Sequence, residues 1–315
     1  MIVGYILGIF SVIIWGITFV CTKTLLIDFS ALEILLFRFL IAYIGLWLMR
    51  PKWEKIALKD NIYFALAGLT GVVLYQLTEN IALNFTNASN VSIIVSICPL
   101  FTAIIAQIFL KEKHITPWFI LGFIISIAGI SLVTLNGKLA FELNPKGDLL
   151  ALTAGICWGF YSLFVSIINS RKYDGMCATR RIFFFAVIFM IPLVFLGMHI
   201  KNAGAVSDLA KSLYIDLNFD FNKARFAKLF NTLSLLFLGL IASGFCFYSW
   251  NKACRILGTV KISGGIYLIP VVTIIFAAIF LHEKITFMGI IGACLTIAGL
   301  FISSKKSTSQ QQEQQ

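Results

Sequence analysis

The sequence predicts an all-α integral membrane protein with ten transmembrane helices, arranged as two inverted five-helix repeats. Three observations predict it: low charge, long apolar runs and an internal duplication. Of the 315 residues, 59% are hydrophobic and only 12% are charged, whereas a soluble globular domain carries about 25% charged residues. Runs long enough to cross a bilayer recur along the chain, and only helices satisfy the backbone of such runs in hydrocarbon. A water-soluble fold is therefore excluded.

The ten predicted spans are the apolar runs between polar breaks. They cover residues 3–25, 31–49, 61–82, 88–110, 117–135, 147–169, 176–199, 229–253, 260–281 and 287–303. The first run lacks the basic region and cleavage site of a signal peptide, so we expect it to persist as the first helix. Seven cysteines stand singly in or beside apolar runs, which favours small buried side chains over disulfides.

Basic residues predict the orientation of the chain. The connections after even-numbered spans and the C-terminal tail hold thirteen Lys and Arg, while the remaining connections hold nine, five of them in one long segment. The positive-inside rule therefore places both termini in the cytoplasm, in a multi-pass protein of the cytoplasmic (inner) membrane. No long basic block suited to nucleic acid occurs, so the expected partners are the lipid bilayer and a small-molecule substrate. Homodimer formation is left open.

The chain is predicted to be duplicated. Trp15-Gly16 matches Trp158-Gly159, and Arg38 matches Arg181, at one constant offset in sequence. At a second, larger offset the matches are Asn80 with Asn251, Ala82 with Ala253, Pro99 with Pro270, and Glu112-Lys113 with Glu283-Lys284. The increase in offset places an insertion at about 200–228, which we expect to be an external loop.

Two repeats follow from these matches, at 3–135 and 147–303, with 304–315 as a disordered cytoplasmic tail. Five spans is an odd number, so the second repeat is predicted to be inverted relative to the first. Inverted repeats are typical of transporters that bind substrate near the midplane, where the repeats meet.

The repeated residues resemble the EamA-like repeat of the drug/metabolite transporter superfamily. Its first helix carries a Trp-Gly pair and its second an Arg before an apolar residue, here Trp15-Gly16 and Arg38-Phe39. Its later helices match Pro99, Leu110-Lys111-Glu112-Lys113, Gly122 and Gly129, and then Pro270, Leu281-His282-Glu283-Lys284, Gly289, Gly292 and Gly299. Lys111, His282 and the long 200–228 connection depart from the usual pattern. The resemblance implies a transporter that moves small polar or amphipathic metabolites by alternating access, and it favours export of amino acids.

Side chains at membrane depth supply the candidate substrate site. An ionisable group there costs roughly 2.5–3.5 kcal/mol, so Arg38 and Arg181 are expected either to contact an anionic substrate group or to bind helix ends and reach the surface. Aromatic and hydroxyl groups midway through spans one and six are expected to line a cavity or to pack against lipid and protein. These are Trp15, Thr18, Trp158 and Tyr161.

Further candidates lie in spans three, four, eight and nine. They are Gln76, Ser96, Tyr248 and Tyr267, with hydrogen bonds between helices as the alternative. For Asn80 and Asn251, near helix ends, that alternative is favoured. Pro99 and Pro270 either kink their spans or create the discontinuous helices that transporters use, and a kink alone is favoured.

Other chemistries find little support in the sequence. No His cluster, paired carboxylate, nucleophile-base arrangement or phosphate loop is readable, so we expect no metal, no cofactor, no enzyme activity and no ATP-driven transport. Acidic residues lie near span ends, Glu33 and Glu79 being the closest to hydrocarbon, which favours facilitated diffusion or exchange over proton coupling. An exchanger or importer of anionic or nucleotide-like metabolites remains an alternative, as does a membrane enzyme or scaffold.

Overall fold

The computed structural model describes residues 1–86, 88–111, 114–135, 144–200, 219, 222–281 and 286–303. These residues form helices and no strand. The helices are α1 (Ile2–Leu25), α2 (Ala31–Met49), α3 (Leu58–Phe85), α4 (Ala88–Val95 and Cys98–Phe109), α5 (Pro117–Leu135), α6 (Pro145–Ser170), α7 (Gly175–Ile200), α8 (Leu229–Leu257), α9 (Thr259–Ser263, Gly264–Leu268 and Ile269–Leu281) and α10 (Phe287–Ser303). Eight are long and apolar enough to cross a membrane, and α5 and α10 are shorter apolar helices. The all-α membrane fold of about ten helices is confirmed.

Side chains at the helix starts explain several boundaries. At the start of α2, Ser30 accepts a hydrogen bond from the backbone of Glu33, whose side chain accepts one from the backbone of Ser30, a reciprocal cap. Asn144 accepts from Gly147 N at the start of α6, with Pro145 as its first residue. Gly258, with a φ of 87°, ends α8, because this backbone region favours glycine.

The helices pack through small residues where their backbones meet. A Cβ on Gly129 of α5 would lie 2.5 Å from Thr296 N and 2.6 Å from Gly292 O of α10. Nearby, a Cβ on Gly299 would lie 2.5 Å from Ser126 N. The α5–α10 contact therefore depends on glycine at these positions, as is common between helices in membranes.

Local irregularities recur at the larger of the two repeat offsets. The π-helical segments Gly68–Leu74 of α3 and Phe237–Phe245 of α8 occupy matching places. Pro99 and Pro270 are each the second residue of a new helical piece, after a turn in α4 and after the 3-10 segment Gly264–Leu268 in α9. Both spans are therefore irregular just before the proline, whose missing N–H costs little at the start of a helical piece. The expectation of a kink alone stays a prediction.

The two ends of the bundle differ. We call the end at which α1 begins the near end, and the opposite end the far end. A Cβ on Gly4 would lie 2.8 Å from Leu257 Cγ, so α8 ends beside the start of α1. Most of the predicted 200–228 loop and all of the 304–315 tail lie outside the described residues.

The described part of the long connection closes the far end. Residues Lys223–Ala227 form a 3-10 turn before α8. Arg225 makes two 2.8 Å hydrogen bonds to the Glu33 carboxylate at the start of α2. Lys228 pairs with Asp28 at 2.8 Å. This stretch is therefore docked on the transmembrane bundle.

Candidate functional site

Aromatic side chains from both halves of the chain meet in the centre of the bundle. Trp15 and Trp158 lie edge to face with ring centroids 5.4 Å apart, and Trp250 lies 5.1 Å from Trp15. Tyr75 and Tyr161 lie 4.9 and 5.0 Å from Trp158. The Trp15 indole donates to Ala242 O at 2.9 Å, which fixes one ring of the cluster. These rings form one wall of the site.

Arg38 supplies the positive charge at the same depth. It is 1% exposed and donates hydrogen bonds of 2.6 Å to Ser243 Oγ and to Gln76 Oε1. Ser243 lies in the π-helical segment of α8, and Gln76 follows that of α3. One residue that holds the guanidinium therefore lies in a π-helical turn and the other just after one, and such turns are common at functional sites. Arg38 therefore does not reach the surface: its guanidinium is buried and is held by the side chains of Ser243 and Gln76.

Glu79 brings a carboxylate to the same cavity. It is 5% exposed, and its Oε2 has no hydrogen-bond partner among the described residues. The indole N–H of Trp158 is likewise buried and unpaired in the described part of the chain. The sequence placed Glu79 near the end of its span; α3 runs on to Phe85, and the buried side chain of Glu79 lines the central cavity. The ground for disfavouring proton coupling is thereby removed.

These residues surround a small central cavity of about 20 Å³, which has room for about one water molecule. It is lined by Trp15, Thr18, Phe19, Arg38, Tyr75, Gln76, Glu79, Val95, Cys98, Trp158, Phe247, Ile266 and Ile269. An acceptor on Glu79 and a donor on Trp158 are left open toward a ligand that can satisfy both.

The structure brings together half of the residues predicted for the site. Trp15, Thr18, Arg38, Gln76 and Trp158 line the central cavity. Tyr161 is 1% exposed and stacks behind Trp158. The remaining four lie elsewhere: Ser96 donates to Ser92 O, Tyr248 lines a second pocket, Tyr267 is fully buried beside Phe123, and Arg181 donates to Asn61 Oδ1.

Several site residues escaped the sequence prediction, among them Tyr75, Glu79, Phe247 and Trp250. Glu79 was assigned to a span end, and Phe247 and Trp250 match nothing identical in the first repeat. At the larger repeat offset, Phe247 stands where the first repeat has Gln76, and Trp250 where it has Glu79. At these two matched positions the first repeat therefore contributes polar side chains, Gln76 and Glu79, and the second repeat contributes aromatic ones, Phe247 and Trp250.

A larger pocket opens at the near end, between the end of α6, the start of α7 and the end of α8. We call it the vestibule; its volume is about 410 Å³. Its walls include Val165, Ile168, Asn169, Thr179, Ile182, Tyr248, Asn251, Lys252, Arg255 and Ile256. None of the described residues that line it is acidic.

A family model described as the EamA-like transporter family matches residues 2–135 and again residues 145–305. The chain belongs to this family. Each matched range contains five of the ten helices described above. The protein is therefore a multi-pass membrane transporter, and the resemblance noted in its sequence is confirmed.

Curated relatives of this EamA-like transporter cover nearly its whole length. An uncharacterized transporter of Archaeoglobus fulgidus is 26% identical over 304 residues, which are 94% of this chain and 95% of that protein. The uncharacterized transporter YoaV of Bacillus subtilis is 26% identical over 325 residues, covering 96% of this chain and 97% of YoaV. A probable terminal-alkyne amino-acid exporter of Streptantibioticus cattleyicolor is 24% identical over 255 residues, 81% of this chain and 77% of that protein.

A solved crystal structure has the same fold. It superposes with a TM-score of 0.66 at 16% sequence identity, and the match covers 96% of this chain and 95% of that one. This likeness supports the helix arrangement described here and carries no information on substrate.

Proposed function

We propose that this EamA-like transporter exports small zwitterionic metabolites of the amino-acid type. The observation that carries the proposal is the presence of a basic and an acidic side chain, Arg38 and Glu79, in one buried cavity with an aromatic wall. Arg38 suits a carboxylate, and the open oxygen of Glu79 suits an ammonium group. The rings of Trp15 and Trp158 would pack against an apolar side chain.

The cavity is closed in the present conformation. About 20 Å³ is too small for an amino acid, so substrate enters only when helices separate. The proposed cycle opens the site first to the near end and then to the far end, by rocking one five-helix repeat against the other. The proposal includes the inverted relation of the repeats and a cytoplasmic near end, which the charge distribution favours.

The relative from Streptantibioticus cattleyicolor, named as a probable amino-acid exporter, supports the direction and the substrate class. An anionic or nucleotide-like substrate is less well supported by the geometry. It would need both arginines at the site, whereas Arg181 binds Asn61 outside the central cavity and Glu79 stands beside Arg38. A carboxylate in that position disfavours a substrate with several negative charges.

The test uses purified protein in vesicles of neutral lipid. Counterflow of radiolabelled L-leucine is compared with that of two analogues, isocaproate without the ammonium group and leucinamide without the carboxylate. A wider amino-acid panel is tested in parallel. The proposal expects at least one zwitterion to be transported and its single-charge analogues to be excluded; equal transport of isocaproate would overturn it.

A further inference from the structure

The vestibule carries two cations that form no ion pair within the described part of the chain. Lys252 and Arg255 lie one turn apart near the end of α8 and line its mouth. Arg255 donates to Tyr173 O at 3.0 Å, and Lys252 lies 3.5 Å from Tyr248 Oη. Neither joins an ion pair among the described residues.

Three arginines of the near end outside the vestibule are engaged by protein groups. Arg50 pairs with Asp174 at 3.0 Å, and Arg171 lies 3.7 Å from Asp60. Arg180 donates to the carbonyl oxygens of Arg50 and Lys52 and lies over the Trp47 ring. Arg255 also donates to a carbonyl oxygen, that of Tyr173. What distinguishes Lys252 and Arg255 is that they line an open pocket in which none of the described lining residues is acidic.

One layer of side chains separates the vestibule from the central cavity. Tyr161 donates to Asn251 Oδ1 at 2.8 Å, and Asn251 Nδ2 donates to Thr179 Oγ1 at 3.2 Å. Asn251 and Thr179 line the vestibule, whereas the ring of Tyr161 stacks on Trp158 of the central cavity. These bonds join α6, α7 and α8 and form the floor of the vestibule.

The matching region of the first repeat is packed shut. Asn80 matches Asn251, Leu25 matches Ile168, and Leu35 matches Ala178 of the vestibule. All three first-repeat residues are 0% exposed. Asn80 there donates to Ala31 O at 3.3 Å. Their counterparts Ile168, Ala178 and Asn251 are also buried, at 4–8% exposed, but they line the vestibule. The two repeats therefore differ here by the pocket that adjoins the second.

From this we infer that the vestibule is a loading site, where Lys252 and Arg255 capture the carboxylate of a small amphipathic substrate before it passes the Tyr161–Asn251 floor. Val165 and Ile182 would hold its apolar part. The inference rests on the proposed function and adds a second binding site to it. A lipid headgroup offers the same anionic chemistry, so the test separates the two sources.

The test removes the two charges and compares a variant of equal charge. The double variant Lys252→Gln/Arg255→Gln is set against Lys59→Gln/Lys261→Gln, whose side chains are exposed outside the vestibule. Each is reconstituted in neutral phosphatidylcholine and in phosphatidylcholine with phosphatidylglycerol. L-leucine, or another transported zwitterion of the panel, is applied from the near side at low and high salt.

We expect the half-saturating concentration of the vestibule variant to rise about tenfold at low salt, since a basic mouth raises the local concentration of anionic groups. Its maximal rate should stay at the wild-type value, and the increase should shrink at high salt. Equilibrium binding to detergent-solubilised protein should weaken in parallel. The control double variant should match the wild type in every measurement.

Different failures are distinguishable. A wild type that transports a zwitterion, with both double variants alike, overturns the loading site and leaves the proposed function standing. An effect confined to vesicles with phosphatidylglycerol assigns the pocket to a lipid headgroup and overturns substrate capture. A wild type that neither binds nor transports any zwitterion overturns both proposals.

Discussion

Trp15 and Trp158, far apart in sequence, meet edge to face at a ring-centroid distance of 5.4 Å. Each stands at the same place in its repeat, so the duplication brings one ring from each half to a common centre. Both are at most 8% exposed, and both line the central cavity. The site is thus formed between the repeats, and the proposed transport cycle requires its halves to separate.

The first prediction concerns these two rings. Trp15→Phe and Trp158→Phe should lower the transport rate at least about tenfold, because the smaller ring leaves a gap in the wall that holds the apolar part of the substrate. Phenylalanine is preferred to alanine, which costs a buried site about 3–5 kcal/mol. Counterflow in vesicles, normalised to folded protein, measures the effect.

Trp118→Phe serves as the matched control, since Trp118 is 41% exposed on α5 and does not line the central cavity. It should transport as the wild type does. A similar loss in all three variants would remove the argument for an aromatic wall.

Much of this arrangement was readable from the sequence. Apolar run lengths predicted the helices, and identical residues at two offsets predicted that Trp15 and Trp158 occupy equivalent places. Arg38 was identified because a cation at membrane depth requires partners. Such inferences succeed where a single physical requirement restricts the residue type, as a bilayer requires apolar side chains and a buried cation requires polar partners.

The other site residues could not be predicted, because their positions depend on substitutions between the repeats and on irregular helical turns that sequence spacing does not reveal. Trp250 and Glu79 stand at equivalent repeat positions, yet identity matching overlooks a ring that replaces a carboxylate. The end of α3 was placed too early, at position 82 where the helix runs to Phe85, and its π-helical segment rotates the face that carries Gln76 and Glu79. The sequence analysis placed Glu79 only by its distance from the predicted span end, and that distance does not indicate which face of an irregular helix carries the side chain.

A second prediction tests the floor of the vestibule. Tyr161→Phe keeps the ring against Trp158 and removes the hydroxyl that donates to Asn251. The loss of one buried hydrogen bond, about 1 kcal/mol, should raise the exchange rate several-fold by easing passage between the vestibule and the central cavity. Exchange of labelled substrate at saturation measures it.

Tyr248→Phe is the companion variant, because Tyr248 lines the same pocket but lies outside this hydrogen-bonded floor. Its exchange rate should stay near the wild-type value. An unchanged or slower rate in Tyr161→Phe would contradict a gating role for the floor.

A third prediction concerns closure of the far end. Arg225 holds the Glu33 carboxylate through two hydrogen bonds, and Lys228 and Asn231 bind Asp28. A hydrogen bond to a buried charged group such as Glu33 contributes about 1.5–3 kcal/mol. Arg225→Gln should therefore increase far-end opening about tenfold or more. Maleimide labelling of Leu83→Cys, a fully buried far-end position, should accelerate accordingly.

Lys223→Gln provides the control, since Lys223 is exposed in the same 3-10 turn. Far-end closure should also depend on pH. Hydrogen bonds from Lys228, and to a smaller extent from Asn231, lower the pKa of Asp28. The contribution of Asp28 to closure is therefore fully present above the ordinary pKa of an Asp side chain. That contribution is lost as the pH falls through the lowered value. Labelling that is equal in both variants would show that the far end is closed by packing alone.

A fourth prediction concerns orientation. The excess of Lys and Arg in alternate connections predicts a cytoplasmic near end, so Lys55→Cys and Lys306→Cys should be inaccessible to an impermeant maleimide applied outside intact cells. Asp216→Cys, in the long connection, should be labelled. The measurement uses a variant without the native cysteines. Labelling of position 55 or 306 from outside would reverse the assignment and, with it, the direction proposed for transport.

The last prediction separates the roles of the two buried charges. In Glu79→Gln the site keeps Arg38 but loses the group proposed to bind the ammonium, so transport of L-leucine should fall at least about tenfold. Isocaproate, which has only the carboxylate, should be transported better than by the wild type, because the carboxylate that repels it is gone. Arg38→Gln should show the opposite preference, with leucinamide gaining over isocaproate.

Counterflow of the three labelled compounds in the same vesicle preparations gives each ratio without reference to expression level. Glu33→Gln is the control for selectivity only. Glu33 is also a buried acid, but it pairs with Arg225 at the far end, so its loss should change the overall rate and leave the ratios between the three compounds unchanged. A uniform loss for all three compounds in Glu79→Gln would show that this carboxylate supports the fold and does not select the substrate.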